Sequence, residues 1–369
     1  MTVTVPGESV RTERVAATLG IALGVMFTVC FVTGLLSHLI QDPPSWFVWP
    51  TRPAGMYRFT QGLHIATGIA AIPILLAKLW IVLPKLFAWP PFESLAHALE
   101  RISLLPLVGG GLFMLSSGVA NIAQWYPWPF AFRSAHFAVA WITIGGLVVH
   151  IGAKATTTRA SFRTSAPPAV AVGDRRAFLG GVFATSALVT VFSVGQTIRP
   201  LAGLSFLAPR RPDVGPQGFP VNRSAIVAGV TRTARDPDYR LVVNGAVRRP
   251  LRLSLEDLRA LPQHSAVLPI ACVEGWSSSQ RWTGIAVRDL LRMAGAADGA
   301  EVTVHSLQQR RSYATSELNH LHASDPDTLL ALEVNDEPLH LDHGYPLRLI
   351  GPNRPGVMQT KWVARLEVR

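Results

Sequence analysis

Two cysteines and eleven histidines are the side chains of this 369-residue chain best suited to hold a metal. Cys272 stands in the run Pro269-Ile-Ala-Cys-Val-Glu-Gly-Trp-Ser277. A thiolate is a soft ligand for a heavy metal centre, and a lone cysteine in an oxidising compartment is unusual as a free surface thiol. Cys272 is therefore either buried and inert, or a ligand or nucleophile. His64, His136 and His150 fall inside strongly apolar stretches, where an imidazole is costly and usually functional. His136 and His150 are fourteen residues apart, nearly four helical turns, so they share one helix face about 21 Å apart. That spacing suits two stacked haems, one in each membrane leaflet, each needing a second histidine from a neighbouring helix. His64 lies at the depth of His136 and is its expected partner. Fourteen residues beyond His64 stands Lys78, so a symmetrical four-histidine arrangement is broken. His97 is the remaining candidate for the inner iron. His38 is an interfacial residue or an alternative outer ligand. The bland alternative for the whole set is hydrogen-bonded histidines without iron. His320 and His322, two residues apart with no further clustered ligands, read as solvated rather than as a zinc pair.

These histidines need helices to carry them. A hydrocarbon core requires about 20 apolar residues of helix. Five stretches qualify: roughly 15–40, 59–83, 102–123, 136–153 and, with a milder Gly/Ala/Ser/Thr texture, 177–194. Lys and Arg mark the ends unevenly. Arg11, Arg14, Lys78, Lys85, Arg101, Lys154, Arg159, Arg163, Arg175 and Arg176 fall on one side, against Arg52, Arg58, Arg133 and Arg199 on the other. The excess predicts the N-terminus inside and the residues after the fifth helix outside. Trp46, Trp49, Trp125, Tyr126 and Trp128 suit an aromatic interface belt on the outer side. No cleavable signal peptide is expected, because the first apolar run is too long and lacks a small-residue cleavage site.

Composition agrees. Only 15% of residues are charged and 49% are hydrophobic, which argues against a disordered chain or an ordinary soluble enzyme. A net charge of +11 invites a nucleic-acid reading. Its distribution removes it: residues 1–203 hold 14 Lys/Arg against 6 Asp/Glu, and the remainder is nearly balanced. No nucleic-acid partner is expected.

Residues 174–180, Asp-Arg-Arg-Ala-Phe-Leu-Gly, precede the fifth apolar run and resemble a twin-arginine export signal, read by machinery that moves folded proteins across the membrane. The internal position departs from the usual N-terminal one. The alternative is that Arg175 and Arg176 only anchor the inner helix end. Export of a folded domain would imply a cofactor inserted before crossing.

Beyond about Pro209 the texture changes to short strands punctuated by Pro and Gly. Residues 239–244 (YRLVVN) and 301–307 read as strands. Residues 254–261 read as a helix opened by an acidic capping box, Ser254 with Asp257, and 287–294 as a second helix. Without a βαβ repeat, an α+β fold is expected.

The segment from about Phe219 to Arg369 resembles the molybdopterin domain of the sulfite oxidase family, which includes the periplasmic methionine-sulfoxide reductase. Three blocks carry the resemblance in order: YRLVVNGAVRRPLRLSLEDLRALP, ACVEGWSSSQRWTGIAVRDLL and LLALEVNDEPLHLDHGYPLRLIGPNRPGVMQTKWVARLEV. The resemblance implies that Cys272 is the cysteine whose sulfur binds molybdenum. It implies that His343 and Arg348 hold the pyranopterin and its phosphate, that Lys361 is a further contact, and that Asn222 and Arg223 enter the cofactor pocket. Arg and Lys donors suit a phosphate. In the sulfite-oxidising pattern basic residues follow the cysteine; here Val273, Glu274, Gly275 and Trp276 do, which disfavours an obligate small-anion site, although Arg281 could supply a cation. The membrane half, in turn, resembles the cytochrome b subunits of bacterial respiratory dehydrogenases, whose haem ligands have the same fourteen-residue spacing.

The expectation is a membrane all-α five-helix bundle, N-in and C-out, followed by an α+β sulfite-oxidase-like molybdopterin domain. The bounds are 1–158 for four cytochrome b-like helices, 159–203 for a basic cytoplasmic linker and fifth helix, and 204–369 for the oxidoreductase domain. Its cofactors would be molybdenum-molybdopterin and one or two b haems, ligated by His64, His136, His150 and His97. The chain would be a multi-pass cell-membrane protein whose C-terminal domain faces the periplasm or exterior. There it would transfer oxygen atoms to or from a small oxo-acceptor or oxo-donor, with sulfoxide reduction slightly favoured over sulfite oxidation, and exchange electrons with quinone or another respiratory partner. The rival is a non-catalytic haem conduit or structural membrane protein with a degenerate molybdopterin fold.

Overall fold

The computed structural model describes residues 10–89, 95–163, 169–195, 197–309 and 313–369. The chain divides into two compact units. The first comprises Met1–Leu36, Gly62–Gly195 and Gly203–Pro209; the second comprises Ser37–Gln61, Gln196–Ala202 and Arg210–Arg369.

The first unit is built on five helices long and apolar enough to cross a membrane. They are α1 (Glu13–Gln41), α2 (Met56–Leu86), α3 (Leu95–Ile122), α4 (Phe132–Arg163) and α5 (Ala169–Val194). All five were expected, but α4 runs ten residues past Ala153 and α5 begins eight before Ala177. From 154 to 163 the chain has no Gly or Pro to stop a helix, so propensity carries α4 beyond its apolar core. Val15, Leu19 and Leu23 of α1 pack with Ala71, Ile74 and Leu75 of α2, and Phe178, Leu179 and Val182 of α5 lie against this cluster. Phe178 and Leu179 of the arginine-pair motif thus serve helix packing, with Phe178 5.7 Å from the Trp80 ring. Close approach of α3 and α4 depends on small residues: a Cβ on Gly146 would meet the Leu107 backbone at 3.3 Å.

The second unit is α+β. Its elements are α6 (Ala225–Ala228), β1 (Arg240–Gly245), β2 (Leu251–Ser254), α7 (Leu255–Ala260), β3 (His264–Ala271), β4 (Ser277–Ala286), α8 (Val287–Ala294), β5 (Val302–Ser306), β6 (Thr315–Leu318), α9 (His320–Ser324), β7 (Leu329–Val334), β8 (Glu337–Pro338), β9 (Arg348–Ile350) and β10 (Val363–Val368). One sheet has the order β2-β1-β10-β5-β6; the other runs β3-β4-β7-β8, with β9 on β7. Only β1 and β10 pair in parallel among these strands. The expected capping box at α7 is present: the Ser254 side chain accepts from the Asp257 N–H and Asp257 accepts from the Ser254 N–H. Leu241, Val243, Leu290, Val304, Leu330, Leu349 and Leu366, from both sheets and α8, share one core.

The segment between α1 and α2 belongs to this second unit, which the hydropathy pattern gave no reason to expect. Asn353, buried and in the left-handed region at φ 54°, holds it. Its side chain accepts from the Tyr57 N–H at 2.7 Å and donates to the Pro50 carbonyl at 2.7 Å, while the Trp49 indole donates to the Asn353 carbonyl at 2.8 Å. Arg52 pairs with Asp325 and Asp327.

Candidate functional site

Cys272 follows the end of β3 and opens a tight turn. Its N–H donates to the Trp276 carbonyl at 2.9 Å, its carbonyl accepts from the Gly275 N–H at 3.1 Å, and Gly275 takes φ 96°, which a side chain would resist. The turn aims two donors at sulfur: the Asn222 amide at 2.7 Å and the Glu274 N–H at 3.4 Å. Asn222 is itself fixed by the Trp276 indole at 3.0 Å. Burial, and then the Glu274 carboxylate, push the Cys272 thiol pKa up. As a free thiol it is therefore an inert neutral group; a bound cation reverses that balance, because a coordinating thiol is deprotonated outright. Glu274 is buried, with Arg210 4.0 Å away.

A cavity of about 130 Å³ opens beside this turn, lined by Asn222, Arg223, Trp276, Arg348 and Lys361, among others. Arg348, 3% exposed at the start of β9, donates to the His343 carbonyl at 3.0 Å and lies over the Trp282 ring. Its Nε has no partner among the described residues. Burial lowers its pKa to about 9. Lys361 donates to the Arg223 carbonyl at 2.9 Å and the Asp342 carbonyl at 2.7 Å. Burial and the neighbouring Arg348 hold its pKa well below the ordinary lysine value. No carboxylate forms an ion pair with Arg348 or Lys361 among the described residues. Arg348, buried, and Lys361, half-buried, have no ion-paired carboxylate, which is costly, and an anion in the cavity would lower that cost.

His343 is not among the residues that line the cavity. It is buried, stacked 3.7 Å from Phe219, and its Nε2 donates to the Pro216 carbonyl at 2.7 Å. Burial, with Arg348 nearby, lowers its pKa to about 3. Its ring supports the segment that enters the site, while its carbonyl orients Arg348. Arg281 turns away from the site to pair with Asp336. His322 is not solvated: it is 2% exposed, with Nδ1 on Asn319 and Nε2 on the Pro352 carbonyl, whereas His320 is exposed. The cavity also takes in Ser306, Gln308, Tyr313, Gln359 and Thr360, which residue-type reasoning passed over. Gln359 and Thr360 sit beside Lys361 in the GVMQTKW run, so proximity to a recognised cation was the available signal; Tyr313 offered none. The Tyr313 hydroxyl donates to Gln41, at the end of α1, at 3.1 Å.

Residues 228–369 match the family model described as the oxidoreductase molybdopterin binding domain. This segment belongs to that domain family. The mitochondrial sulfite oxidase of Drosophila melanogaster is 31% identical over 161 residues, 36% of this chain and 27% of that protein. The putative protein-methionine-sulfoxide reductase subunit YedZ1 of Azospira oryzae is 32% identical over 130 residues, 35% and 48% of the two chains. The uncharacterized oxidoreductase YuiH of Bacillus subtilis is 32% identical over 131 residues, 35% and 64%. The chain thus spans less than two thirds of each of these relatives. The donor set of the molybdopterin domain fits its family's cofactor: a buried thiol with two aimed donors, and unpaired cations for a phosphate.

In the helical unit, the His64 and His136 rings lie with centroids 6.4 Å apart. Metal–imidazole bonds of about 2 Å on each side of one ion would put two ring centroids roughly 6 Å apart. His64 Nδ1 donates to the Cys30 carbonyl at 2.9 Å, and His136 Nδ1 meets the Ser117 hydroxyl at 3.0 Å. With Nδ1 engaged in this way, Nε2 is the nitrogen of each ring that could serve as a metal ligand. Glycines face both rings: a Cβ on Gly34 would lie 3.0 Å from His64 Cε1, and one on Gly118 3.9 Å from His136 Cε1. His150 lies on α4, and His38 is 3.9 Å from Asp42. His97 lies in the first turn of α3, with its side chain outside the described residues.

Proposed function

We propose that this chain is a membrane-anchored molybdopterin-dependent oxidoreductase that exchanges an oxygen atom with a small oxo-donor or oxo-acceptor and passes the electrons through b haem to or from quinone. The observation that carries the reading is the placing of buried Arg348 and half-buried Lys361, neither in an ion pair with a described carboxylate, along one cavity beside the Asn222–Cys272 contact. Bound molybdenum-molybdopterin would supply the two-electron oxygen-atom chemistry. The chain's residues have separable tasks. Arg348, Lys361 and Arg223 hold the anionic end of the cofactor. Asn222 and the Glu274 N–H support negative charge on Cys272 sulfur. His343 positions Arg348. The run Val273-Glu274-Gly275-Trp276 after Cys272, where the sulfite-oxidising pattern has basic residues, favours a neutral oxo-substrate such as a sulfoxide.

The helical unit supplies the electron partner, with His64 and His136 as one iron pair and helices suited to a lipid bilayer. The balance of Lys and Arg supports an inner N-terminus and an outer molybdopterin domain, and a division near 158 and 203 follows from that topology. The Arg175–Arg176 pair supports export through the twin-arginine machinery. Replacing both arginines by lysine should leave the first four helices inserted and strand the following domain inside. A protease-accessible, normally translocated domain in that variant would sink this part of the reading.

The central test is metal analysis and a visible spectrum of detergent-purified protein, followed by dye-coupled turnover with sulfoxides, N-oxides and sulfite in both directions. One molybdenum per chain with b-type bands and turnover of a neutral oxide is the expected outcome. Protein purified from cells competent in cofactor synthesis with neither molybdenum nor haem would overturn it.

A further inference from the structure

We propose that the helical unit binds a single haem, between His64 and His136, and that Lys78 occupies the place a second haem's ligand would need. The inference rests on the haem reading above and fixes its stoichiometry.

The bundle repeats one local arrangement twice. In the first layer the His64 side chain lies over Gly34; in the second the Lys78 side chain lies over Gly20, with Nζ 3.3 Å from where a Cβ would stand. Gly20 and Gly34 are fourteen residues apart on α1, and so are His64 and Lys78 on α2. The antiparallel register of α1 and α2 is therefore unbroken across the interval. On α4 the same step leads from His136 to His150. The second layer thus copies the first with a lysine in place of one histidine. That lysine is committed elsewhere: Nζ donates to the Ala16 carbonyl, one turn before Gly20. An ammonium has three donors and no lone pair, so in this state it cannot ligate iron.

The register of α3 and α4 bears on His97 in the same way. Ser117 meets His136, a Cβ on Gly110 would meet Thr143, and one on Gly146 would meet Leu107. Each step forward on α4 matches one step back on α3, which sets His150 level with position 103. His97 is six residues farther along, about 9 Å beyond that level at 1.5 Å per residue. Of the chain's eleven histidines, His97 and His150 alone lie in the halves of these helices away from the His64–His136 layer. The second layer has one histidine at its own depth, not two.

The test is haem content by pyridine haemochrome against protein concentration, with low-spin haem signals by electron paramagnetic resonance, on full-length protein in detergent. One haem per chain is expected, unchanged in amount and spectrum in Lys78→Gln and His150→Ala. Two haems per chain in the wild type would overturn the proposal while leaving the His64–His136 pair intact. So would loss of a haem or a shifted low-spin signal in either variant that retains wild-type molybdenum content. A molybdenum-loaded wild type without haem would instead overturn the haem reading itself.

Discussion

The two units bury polar groups by opposite rules. In the molybdopterin domain the cavity is lined by Arg348 and Lys361, neither of which forms an ion pair with a described carboxylate. In the helical unit the facing groups are two imidazoles, each held by a hydrogen bond at Nδ1. A site records the charge of what it was built to receive. In the reading proposed above, the cations of the cavity would receive an anion, whereas the oriented rings would receive a metal ion carrying its own counter-charge. His343 and His322 sharpen the contrast, because in them the nitrogens serve backbone carbonyls and a side-chain amide and the rings act as packing.

The harshest way to break the comparison is at the ligands. Cys272→Ser should abolish dye-coupled turnover and leave the b-type spectrum intact; a Cys272→Ser protein that turns over normally would mean that sulfur is not a ligand. His64→Ala and His136→Ala should each remove the same haem band completely and leave molybdenum content unchanged; two independent losses would show that the rings serve separate groups.

Arg348→Met should weaken cofactor retention by about 1.5–3 kcal/mol, roughly 10- to 150-fold, the scale of a charge-assisted hydrogen bond. The same change should raise the melting temperature of cofactor-free protein, since it removes a buried charge lacking a counter-ion. A fall in both would show that Arg348 is a structural cation.

The buried histidines predict a pH dependence. The pKa of His343, and that of His322, is lowered by burial to about 3 in the fold, against an ordinary 6.5. The unfolded chain binds the proton more readily, so stability is fully present above pH 6.5 and is lost as pH falls toward 3. Between pH 6.5 and pH 5 each ring should cost about 2 kcal/mol, read as a lower melting temperature. His343→Gln should flatten that slope, and an unchanged slope would place the titration elsewhere. Smallest of all, Arg52→Ala should cost about 1 kcal/mol, because the guanidinium is half-exposed although its partner Asp325 is buried.

How much of this the residues announced varied with the physics involved. Long apolar runs declare helices whatever surrounds them, so α1 to α5 were legible and only their polar ends were not. The capping box of α7 was legible because it is local. His64 and His136 were legible as a pair because helix depth follows from counting. The seclusion of His322 was not, since it depends on Pro352, thirty residues away. Arg281 looked available until the β4–β7 pairing brought Asp336 within reach.

Asn353 meets Tyr57, Pro50 and Trp49 across some 300 residues of chain. During synthesis the stretch from 37 to 61 emerges first and waits for nearly the entire remaining chain before its partners exist. At about 5–20 residues per second, that delay is on the order of 15–60 s. The second unit therefore closes last, on an element made first. A polypeptide beginning at residue 204 would leave the Asn353 side chain without the partners that complete its hydrogen bonds. Soluble expression of the second unit on its own would work better if residues 37–61 were supplied with it.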